Sequence, residues 1–374
     1  MKKKKIVITG GHVTPALAVI DELEKKPYQI YYFGRRYTSE AHKALPMEAV
    51  LLREKEITYI PITAGKIQRY FDQYTLFSYL KIPLGFFQAL NYLIRIRPNL
   101  IISFGGYVSV PVVLAGWLLR IPILTHEQTA SYGLASRFNS YFAKKIAVSW
   151  PISQKYFPKK KVVLTGNPIR KEVLQTNKKI WQVFDFDEKL PLIFITGGNQ
   201  GSRVINQTVS QLVNQLVKKY NLFHHLGPVG SKGILKELEK VRQKIPLQLR
   251  NRYHSKKYLD SQEMGTFLNK ADLIIARSGA NTVTELAALG KPALFIPLPF
   301  AATDEQTKNA QLLVEAGTAE VLPQEKLSPK KLWQLIEKIM NSLDDYQKKS
   351  SQAKKLVKLD ASKEIVRLVE KIIQ

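Results

Sequence analysis

The sequence predicts an α/β protein built from two successive parallel sheets with crossover helices. Its 374 residues exceed what one hydrophobic core usually serves, so two domains are the first expectation. Short apolar runs rich in β-branched residues alternate with segments of helical period, and this alternation restarts near residue 192. Two successive nucleotide-binding-type domains follow from the pattern.

The predicted strands are the apolar runs themselves, because strands buried on both faces carry near-continuous apolar sequence. In sheets of this kind ligands bind outside the carboxyl ends of the strands, so the segments that follow the strands are the candidate sites. The predicted strands are residues 5–9, 30–33, 100–104, 121–125 and 145–148 in the first half, and 192–196, 222–225, 273–276 and 293–297 in the second.

A further strand, stopped by Gly166-Asn167-Pro168, marks the predicted boundary between the domains. The first domain is predicted to cover residues 1–165 and the second residues 166–349. Two helices are predicted from about residue 327 onward, and the last of them covers about 350–374. Its apolar positions, whose spacing suits docking against another surface, are Leu356, Ile365, Leu368, Val369 and Ile372.

The composition excludes some classes of site and of protein. Without cysteine the chain has no disulfide framework, thiolate metal site or thiol nucleophile. The apolar run after the basic N-terminus is only Ile6-Val7-Ile8, which is too short for a secretory signal. Residues 100–119 carry no charge, but Gly105-Gly106 and Pro111 favour a strand, a turn and a short helix over a membrane span.

The formal net charge of +27 is compatible with nucleic acid, anionic lipid or phosphorylated substrates as partners. A lysine-rich source organism or a solvated surface explains much of the excess equally well. Basic and aromatic residues are mixed in residues 66–97, and such stretches favour the headgroup region of anionic bilayers. A helix pair packed inside the first domain is the alternative explanation for these aromatics.

The first candidate site is Gly10-Gly11-His12, directly after the first strand and at the start of a helix. Glycines there let backbone N–H groups approach a phosphate at the positive helix N-terminus. Any fold of this type needs a tight turn at that place, so the glycines alone are weak support. His12 is less ordinary, because the helix dipole disfavours its imidazolium and leaves a neutral ring able to take a proton.

A second glycine turn and a polar cluster follow the next two central strands. The turn is Gly105-Gly106, and the cluster is His126-Glu127-Gln128. Both are expected at the same sheet edge as His12. A histidine beside a carboxylate is more often a structural pair than a catalytic one, so His126 is a secondary candidate.

Two further glycine sites lie in the second half. Residues 196–206 combine three glycines, Asn199 and Gln200 with a helix start, which predicts a phosphate cradle; a plain tight turn is the alternative. Residues 276–288 start another helix with small side chains, and Glu285 lies about one and a half turns into it. A carboxylate there can accept both hydroxyls of a ribose, whereas a solvated helix glutamate is the alternative.

A fifth motif, residues 297–310, contains the acceptors and amides that bind sugar hydroxyls. They are Asp304, Glu305, Gln306 and Asn309. An acidic cap on the following helix explains Asp304 and Glu305 almost as well.

Taken in order with Gly166-Asn167-Pro168-Ile169-Arg170, these five motifs resemble the MurG family, the N-acetylglucosaminyltransferases that convert lipid I to lipid II in peptidoglycan synthesis. The resemblance covers nearly the whole chain. It implies a GT-B architecture, in which two Rossmann-like domains face a central cleft and a C-terminal helix crosses back to the first domain. It also implies inverting transfer from UDP-GlcNAc, bound mainly by the second domain, to an undecaprenyl-diphosphate-linked acceptor on the first.

The resemblance assigns roles to the residues of the matching motifs. Glu285 would hold the ribose, and Tyr258-Leu259 would hold the uracil. The other donor-site residues, for the phosphates and the GlcNAc, are Arg170, Asn199, Gln200, Gly201, Ser278, Ala280, Asn281, Thr282 and Gln306. His12 would act on the acceptor, as a general base or as a donor to its diphosphate. The other acceptor-side residues are Gly10, Gly11, Gly105, Gly106, Tyr107, Glu127 and Thr129.

The chain departs from the usual family pattern at several places. Only Gly10-Gly11 precede His12 where the family has a longer glycine run, which bears on binding of the acceptor diphosphate. Asn199, Thr129 and Asn281 stand where the family commonly has serine, asparagine and leucine. No metal cage and no required cofactor are predicted, although Mg²⁺ can accompany the donor diphosphate.

The expected location is cytoplasmic, with peripheral attachment to the anionic inner face of the cell membrane. Two rivals share the fold: a glycolipid glycosyltransferase with another lipid acceptor, and a UDP-sugar epimerase. A basic nucleic-acid-binding protein is the rival from another class. Against it, the aromatics cluster in one N-terminal stretch and the glycine motifs have no role in binding nucleic acid, so no specific nucleic-acid partner is expected.

Overall fold

The chain folds into two compact units. The structure is a computed structural model that describes residues 3–37, 46–65, 75–231, 233–300 and 302–374. One unit comprises Met1–Ile169 with Lys358–Gln374, and the other comprises Arg170–Val357. The return of the chain to the first unit therefore begins at Lys358, later than the predicted position near residue 350.

Within the described residues, the first unit contains a seven-stranded parallel sheet in the order β3-β2-β1-β4-β5-β6-β7. Its strands are β1 Lys4–Thr9, β2 Tyr28–Arg35, β3 Thr58–Ile62, β4 Leu100–Ser103, β5 Ile123–Glu127, β6 Lys145–Val148 and β7 Val162–Leu164. Its helices before the boundary are α1 Val13–Leu23, α2 Met47–Glu54, α3 Thr75–Ile96, α4 Ser109–Leu118 and α5 Leu134–Phe142. The strand order reverses between β1 and β4, so the turns after these two strands lie side by side.

The second unit repeats the plan with a six-stranded sheet, counted over the described part of the chain, in the order β10-β9-β8-β11-β12-β13. Its strands are β8 Leu192–Thr196, β9 Asn221–His225, β10 Tyr253–Lys256, β11 Leu273–Ala276, β12 Ala293–Phe295 and β13 Ala319–Val321. Its helices are α6 Lys178–Gln182, α7 Arg203–Ser210, α8 Val213–Leu216, α9 Leu235–Lys244, α10 Ser261–Lys270, α11 Ala280–Leu289, α12 Glu305–Glu315, α13 Pro329–Asn341, α14 Leu343–Lys348 and α15 Ser350–Lys354. The prediction of two parallel sheets is confirmed.

The C-terminal segment is more broken than the two predicted helices. Helix α15 packs on α11 of the second unit, and a separate last helix, α16 Ala361–Ile373, packs on α1 of the first. Ile365, Val369 and Ile372 of α16 are buried in the core between α1 and the sheet, as the apolar spacing predicts. Leu356 is wrong as a docking residue, because it is more than a third exposed and precedes α16.

The uncharged segment 100–119 forms strand β4, the glycine turn and helix α4. Ile101 and Ile102 of β4 are fully buried, so the apolar character of this segment serves the core. In the part of the chain that the structure describes, no helix is both long enough and apolar enough to cross a membrane.

Candidate functional site

The two glycine turns of the first unit lie against each other at the carboxyl edge of the sheet. The Gly11 N–H donates to the carbonyl oxygen of Gly105 at 3.0 Å, and the Tyr32 hydroxyl donates to that of Gly10 at 2.9 Å. Gly10 has φ +148°, and a Cβ there would lie 2.9 Å from the carbonyl carbon of Phe104. Glycine is therefore required at Gly10 by the close approach of two backbones, independently of any ligand.

His12 occupies the N-cap position of α1 and makes no side-chain capping hydrogen bond. Its side chain keeps accessible surface, as a group that meets a substrate must. Desolvation by the surrounding protein lowers the pKa of His12 below its ordinary value, while the negative charge of Glu127 acts in the opposite direction. The net effect favours a neutral imidazole, which agrees with the prediction from the helix dipole.

Glu127 is a buried carboxylate held by the loop that follows β5. Its Oε1 accepts from the Thr129 N–H at 2.9 Å and from the Thr129 hydroxyl at 2.8 Å, and its Oε2 accepts from the Gly133 N–H at 2.8 Å. These three donors fix the carboxylate in one orientation and satisfy its charge. The structural role of Thr129 is therefore to orient the carboxylate of Glu127.

His126 is part of the core. Its ring is fully buried, with Nε2 3.0 Å from the carbonyl oxygen of Gly166 and Nδ1 3.0 Å from Nε2 of Gln128. Burial lowers the pKa of His126 to about 4. The ring is thus a neutral structural link between β5 and the turn after β7, which supports the structural alternative for His126.

Arg35 was missed by the sequence reasoning and lies at the carboxyl end of β2, next to β1. Its Nε donates to the Glu48 carboxylate at 2.7 Å, and the Tyr59 hydroxyl donates to its carbonyl oxygen at 2.6 Å. Tyr107, the half-buried residue after Gly106, is close enough for its charge state to influence the Arg35 guanidinium. The acceptor-side residues named from the sequence thus share one edge of the first sheet with Arg35.

In the second unit the turn after β8 is held by an interlocking glycine turn after β9. A Cβ at Gly201, which has φ +76°, would overlap the carbonyl oxygen of Leu226. The carbonyl oxygen of Gln200 accepts from the Val229 and Gly230 N–H groups, each at 3.0 Å. The side chains of Asn199 and Gln200 remain exposed. The backbone of the loop is therefore fixed by its neighbours, whereas its polar side chains are accessible to a ligand.

Thr196 at the end of β8 ties this loop to β9. Its hydroxyl accepts from the Gly198 N–H at 3.1 Å and lies 2.9 Å from Nδ1 of His225. Burial lowers the pKa of His225 to about 4, so this partner is neutral. Among the described residues, no heavy atom lies within 4 Å of the position that a Cβ at Gly198 would take, which leaves open space at the tip of the loop.

The N-terminus of α11 lies beside that of α7, because β11 and β8 pair directly with Ala276 opposite Thr196. Ala280, Asn281 and Thr282 form its first turn and are half-buried. Ser278 before it is fully buried, and its hydroxyl has no hydrogen-bond partner within the described residues. Two positive helix ends therefore converge on the carboxyl edge of the second sheet.

Glu285 is buried on the inner face of α11, which rules out the solvated-glutamate alternative. Its Oε1 is 3.9 Å from Nη2 of Arg170, whose Nη1 donates to the Ser261 hydroxyl at 2.5 Å. Burial raises the pKa of Glu285, and the charge of Arg170 lowers it to a smaller extent. Within the described part of the chain the carboxylate is thus desolvated, with Arg170 as a distant cation, and hydroxyl donors would stabilise its charged form.

Of the remaining residues assigned to the donor, Gln306 lies in the first turn of α12, and Tyr258 and Leu259 lie on the loop after β10. Oε1 of Gln306 accepts from the Leu298 N–H at 2.9 Å. Tyr258 is exposed, whereas the neighbouring Leu259 is buried. Asp304 occupies the N-cap position of α12 but makes no side-chain capping hydrogen bond, so the simple capping explanation for this acidic residue is incomplete.

Arg277 is a second residue that the sequence reasoning missed. It follows β11 directly, and its guanidinium donates to the Ser202 hydroxyl at 2.8 Å and to the carbonyl oxygen of Ile296 at 2.9 Å. An arginine at the end of an otherwise apolar strand was the available sequence signal. Among the described residues no group of three histidine, aspartate or glutamate side chains is arranged to hold a metal ion.

Comparison with known proteins places both halves of the chain in one family. Residues 8–148 match the glycosyltransferase family 28 N-terminal domain, and residues 192–365 match the family 28 C-terminal domain. A protein of Clostridium kluyveri is 37% identical over 98% of this chain and 99% of its own length. It is named UDP-N-acetylglucosamine--N-acetylmuramyl-(pentapeptide) pyrophosphoryl-undecaprenol N-acetylglucosamine transferase.

Solved structures agree with these matches. MurG of Acinetobacter baumannii superposes with a TM-score of 0.71 at 28% identity, covering 98% of this chain and 99% of its own. UDP-GlcNAc 2-epimerase of Neisseria meningitidis, bound to UDP-GlcNAc, superposes with a TM-score of 0.67 at 16% identity, covering 98% and 100% of the two chains. The second likeness shows the GT-B-like fold alone. The chain belongs to glycosyltransferase family 28, whose N- and C-terminal domains its two halves match.

Proposed function

We propose that the chain transfers GlcNAc from UDP-GlcNAc to undecaprenyl-diphospho-muramoyl-pentapeptide, which converts lipid I to lipid II in peptidoglycan synthesis. Family membership and the name of the 37% identical relative support this reaction. The observation that carries the donor assignment is Glu285, a buried carboxylate 3.9 Å from its nearest cation, Arg170. Such a group suits the two hydroxyls of a ribose, which together replace the water lost on burial.

The donor diphosphate is assigned to the glycine loop before α7 and to the adjacent start of α11. Backbone N–H groups and helix dipoles at both places favour negative charge, and the open space beside Gly198 admits the ligand. Asn199 and Gln200 add side-chain donors, and Tyr258 with Leu259 is assigned to the uracil. Asn281, Thr282 and Gln306 are assigned to the GlcNAc.

The acceptor is assigned to the first unit, where Gly10, Gly11, Gly105 and Gly106 border His12. In inverting transfer the acceptor hydroxyl attacks the anomeric carbon, a base takes its proton and UDP leaves. A neutral, accessible His12 suits the base, and the carboxylate of Glu127 would stabilise the imidazolium that forms. The alternative role for His12 is to donate a hydrogen bond to the acceptor diphosphate. Mg²⁺, if used, would be bound largely through substrate phosphates.

We expect UDP-GlcNAc to raise the melting temperature of the protein, because a ligand that binds only the folded state stabilises it by mass action. Oligonucleotides are expected to bind weakly and to lose affinity steeply as salt rises. Thermal-shift titrations with both ligands at two salt concentrations test this. Salt-resistant stabilisation by an oligonucleotide, without stabilisation by UDP-GlcNAc, would favour the nucleic-acid alternative.

An anionic membrane is the expected site of the acceptor, and the first unit carries a surface that suits it. Several of the aromatics in residues 66–97 lie outside the described residues. Of the described aromatics in that stretch, Phe87 is exposed, whereas Phe86 and Tyr92 are half-buried and pack against the core. A second apolar surface is formed by α4 and α5, and its members, all more than a third exposed, are Trp117, Leu118, Leu134, Phe138 and Tyr141. Exposed Arg120 and Lys144 follow the two helices and would approach lipid headgroups. Inner-face, peripheral attachment remains part of the proposal.

Removing apolar surface from this face should weaken vesicle binding. We expect the double variant Leu134→Ser, Tyr141→Ser to lose sedimentation with anionic vesicles, and we expect wild-type binding to fade with salt. Leu247→Ser, at a still more exposed leucine of the second unit, is the control and should sediment as wild type does. Equal recovery of wild type with neutral and anionic vesicles, or unchanged recovery of the double variant, would contradict the assignment.

A further inference from the structure

Arg277 is a buried cation that lacks a counter-charge. It is only 8% exposed, yet no ion pair joins it to a carboxylate within the described part of the chain. Its four acceptors are all neutral: the carbonyl oxygens of Ile296 and Pro297, the Ser202 hydroxyl and the Gln324 side-chain oxygen. Desolvation lowers the pKa of Arg277 to about 10, which leaves the guanidinium charged at neutral pH.

An uncompensated buried charge is costly, because neutral acceptors replace only part of the hydration that is lost. Charged side chains in protein interiors are therefore usually paired, and even the half-buried Arg252 of the same unit has an acidic partner, Asp187, at 2.9 Å. The absence of such a partner among the described residues points to a counter-charge that is supplied by a ligand. A ligand with negative charge is the natural source.

The surroundings of Arg277 point to where that ligand binds. Nη2 donates to the hydroxyl of Ser202, the N-cap residue of α7, at 2.8 Å. Arg277 itself lies three residues before Ala280, where α11 begins. The guanidinium thus lies at the base of two positive helix ends, so three sources of positive potential converge with no acidic side chain paired to them in the described residues.

We propose that the diphosphate of the nucleotide donor is the counter-charge of Arg277, and that Arg277 is a positioning residue that holds the Ser202 loop and favours negative charge there. This inference rests on the proposed donor function. In the free protein the unpaired cation destabilises the site. When the donor binds, and more strongly when the leaving diphosphate gains charge, the cation becomes favourable.

The test compares UDP with uridine, which lacks the diphosphate. In calorimetry with the full chain, Arg277→Gln should weaken UDP binding roughly tenfold to a hundredfold, the range for one lost charge-assisted interaction, and should leave uridine affinity unchanged. Arg277→Lys keeps the charge and should retain most of the preference for UDP. The melting temperature of ligand-free Arg277→Gln should equal or exceed that of wild type, because an unpaired charge has been removed.

The matched control is Arg252→Gln, which breaks an ordinary ion pair and should leave the ratio of UDP to uridine affinity at the wild-type value. Equal loss of UDP and uridine binding in Arg277→Gln, with a lowered melting temperature, would show a merely structural role and overturn the proposal. So would an unchanged UDP to uridine ratio in that variant. If wild type itself shows no preference for UDP over uridine, the proposed donor function is contradicted. The proposed role of Arg277, which rests on that function, is then contradicted as well.

Discussion

The His12→Asn variant is expected to lose about 10²- to 10⁴-fold in turnover with little change in acceptor KM, the usual range when a general base is removed. The substituted amide can still donate a hydrogen bond to a phosphate, but it cannot take a proton from the attacking hydroxyl. His12 is accessible at the N-terminus of α1, and desolvation lowers its pKa, which favours the unprotonated ring. Steady-state kinetics with varied acceptor measure both parameters.

The pH profile gives an independent check of the same role. A base must be unprotonated, so kcat/KM falls on the acid side as His12 takes up a proton. Because desolvation lowers the pKa of His12, that fall should lie below its ordinary value of 6.5. In His12→Asn this acid limb should disappear from the residual activity.

Binding of UDP serves as the control for the His12 variant, because the donor residues belong to the other unit and should be unaffected. A rise in acceptor KM without a fall in turnover would leave His12 only the role of donor to the acceptor diphosphate. Wild-type values of both parameters would remove His12 from the site.

Glu285→Ala is expected to weaken UDP binding by about 1.5–3 kcal/mol, the usual cost of losing a charge-assisted hydrogen bond. The carboxylate is buried and has Arg170 as a distant partner at 3.9 Å, so ribose hydroxyls would be its strongest hydrogen-bond donors. Isothermal calorimetry with UDP measures the loss. For UDP analogues that lack a ribose hydroxyl, the loss of affinity caused by Glu285→Ala should be smaller than the loss for UDP itself.

Glu239→Ala is the matched control, because Glu239 is an exposed helix glutamate of the same unit. Its UDP affinity should equal that of wild type. Unchanged affinity in Glu285→Ala would mean that Glu285 only supports the packing of α11, and the ribose assignment would be withdrawn.

The central strands were predictable because burial on both faces leaves continuous apolar runs, as in β1, β4, β8 and β11. The strands that the pattern missed are β3, β10 and β13, and all three lie at an edge of their sheet. Edge strands are half-solvated, so the sequences of these three are short and mixed. The fourth edge strand, β7, was predictable because the Gly166-Asn167-Pro168 turn marks its end.

The candidate site was predictable where it depends on local chain chemistry. The predicted ends of strands and starts of helices were enough to locate the glycine turns and the N-cap position of His12. They also placed Glu285 within α11. Arg35 and Arg277 could not be predicted, because their importance depends on partners that are distant in the sequence. Arg35 pairs with Glu48, and Arg277 is surrounded by neutral acceptors. Sequence alone shows neither the presence nor the absence of a counter-charge.

The break before α16 had no local signal either. Residues 355–360 contain neither glycine nor proline, and the helical period runs through them. The chain leaves the helix because α15 packs on α11 of one unit and α16 packs on α1 of the other. Tertiary packing therefore overrides propensity at this place.

Transfer of labelled GlcNAc from UDP-GlcNAc to a lipid I analogue is the decisive measurement for the proposed reaction. The reaction is followed by chromatography of the lipid product and by release of UDP, with and without the acceptor. We expect acceptor-dependent release of one UDP for each labelled sugar that appears on the lipid. Conversion of UDP-GlcNAc into its 2-epimer without acceptor, or labelling of a different lipid acceptor but not of the lipid I analogue, would contradict the proposed reaction.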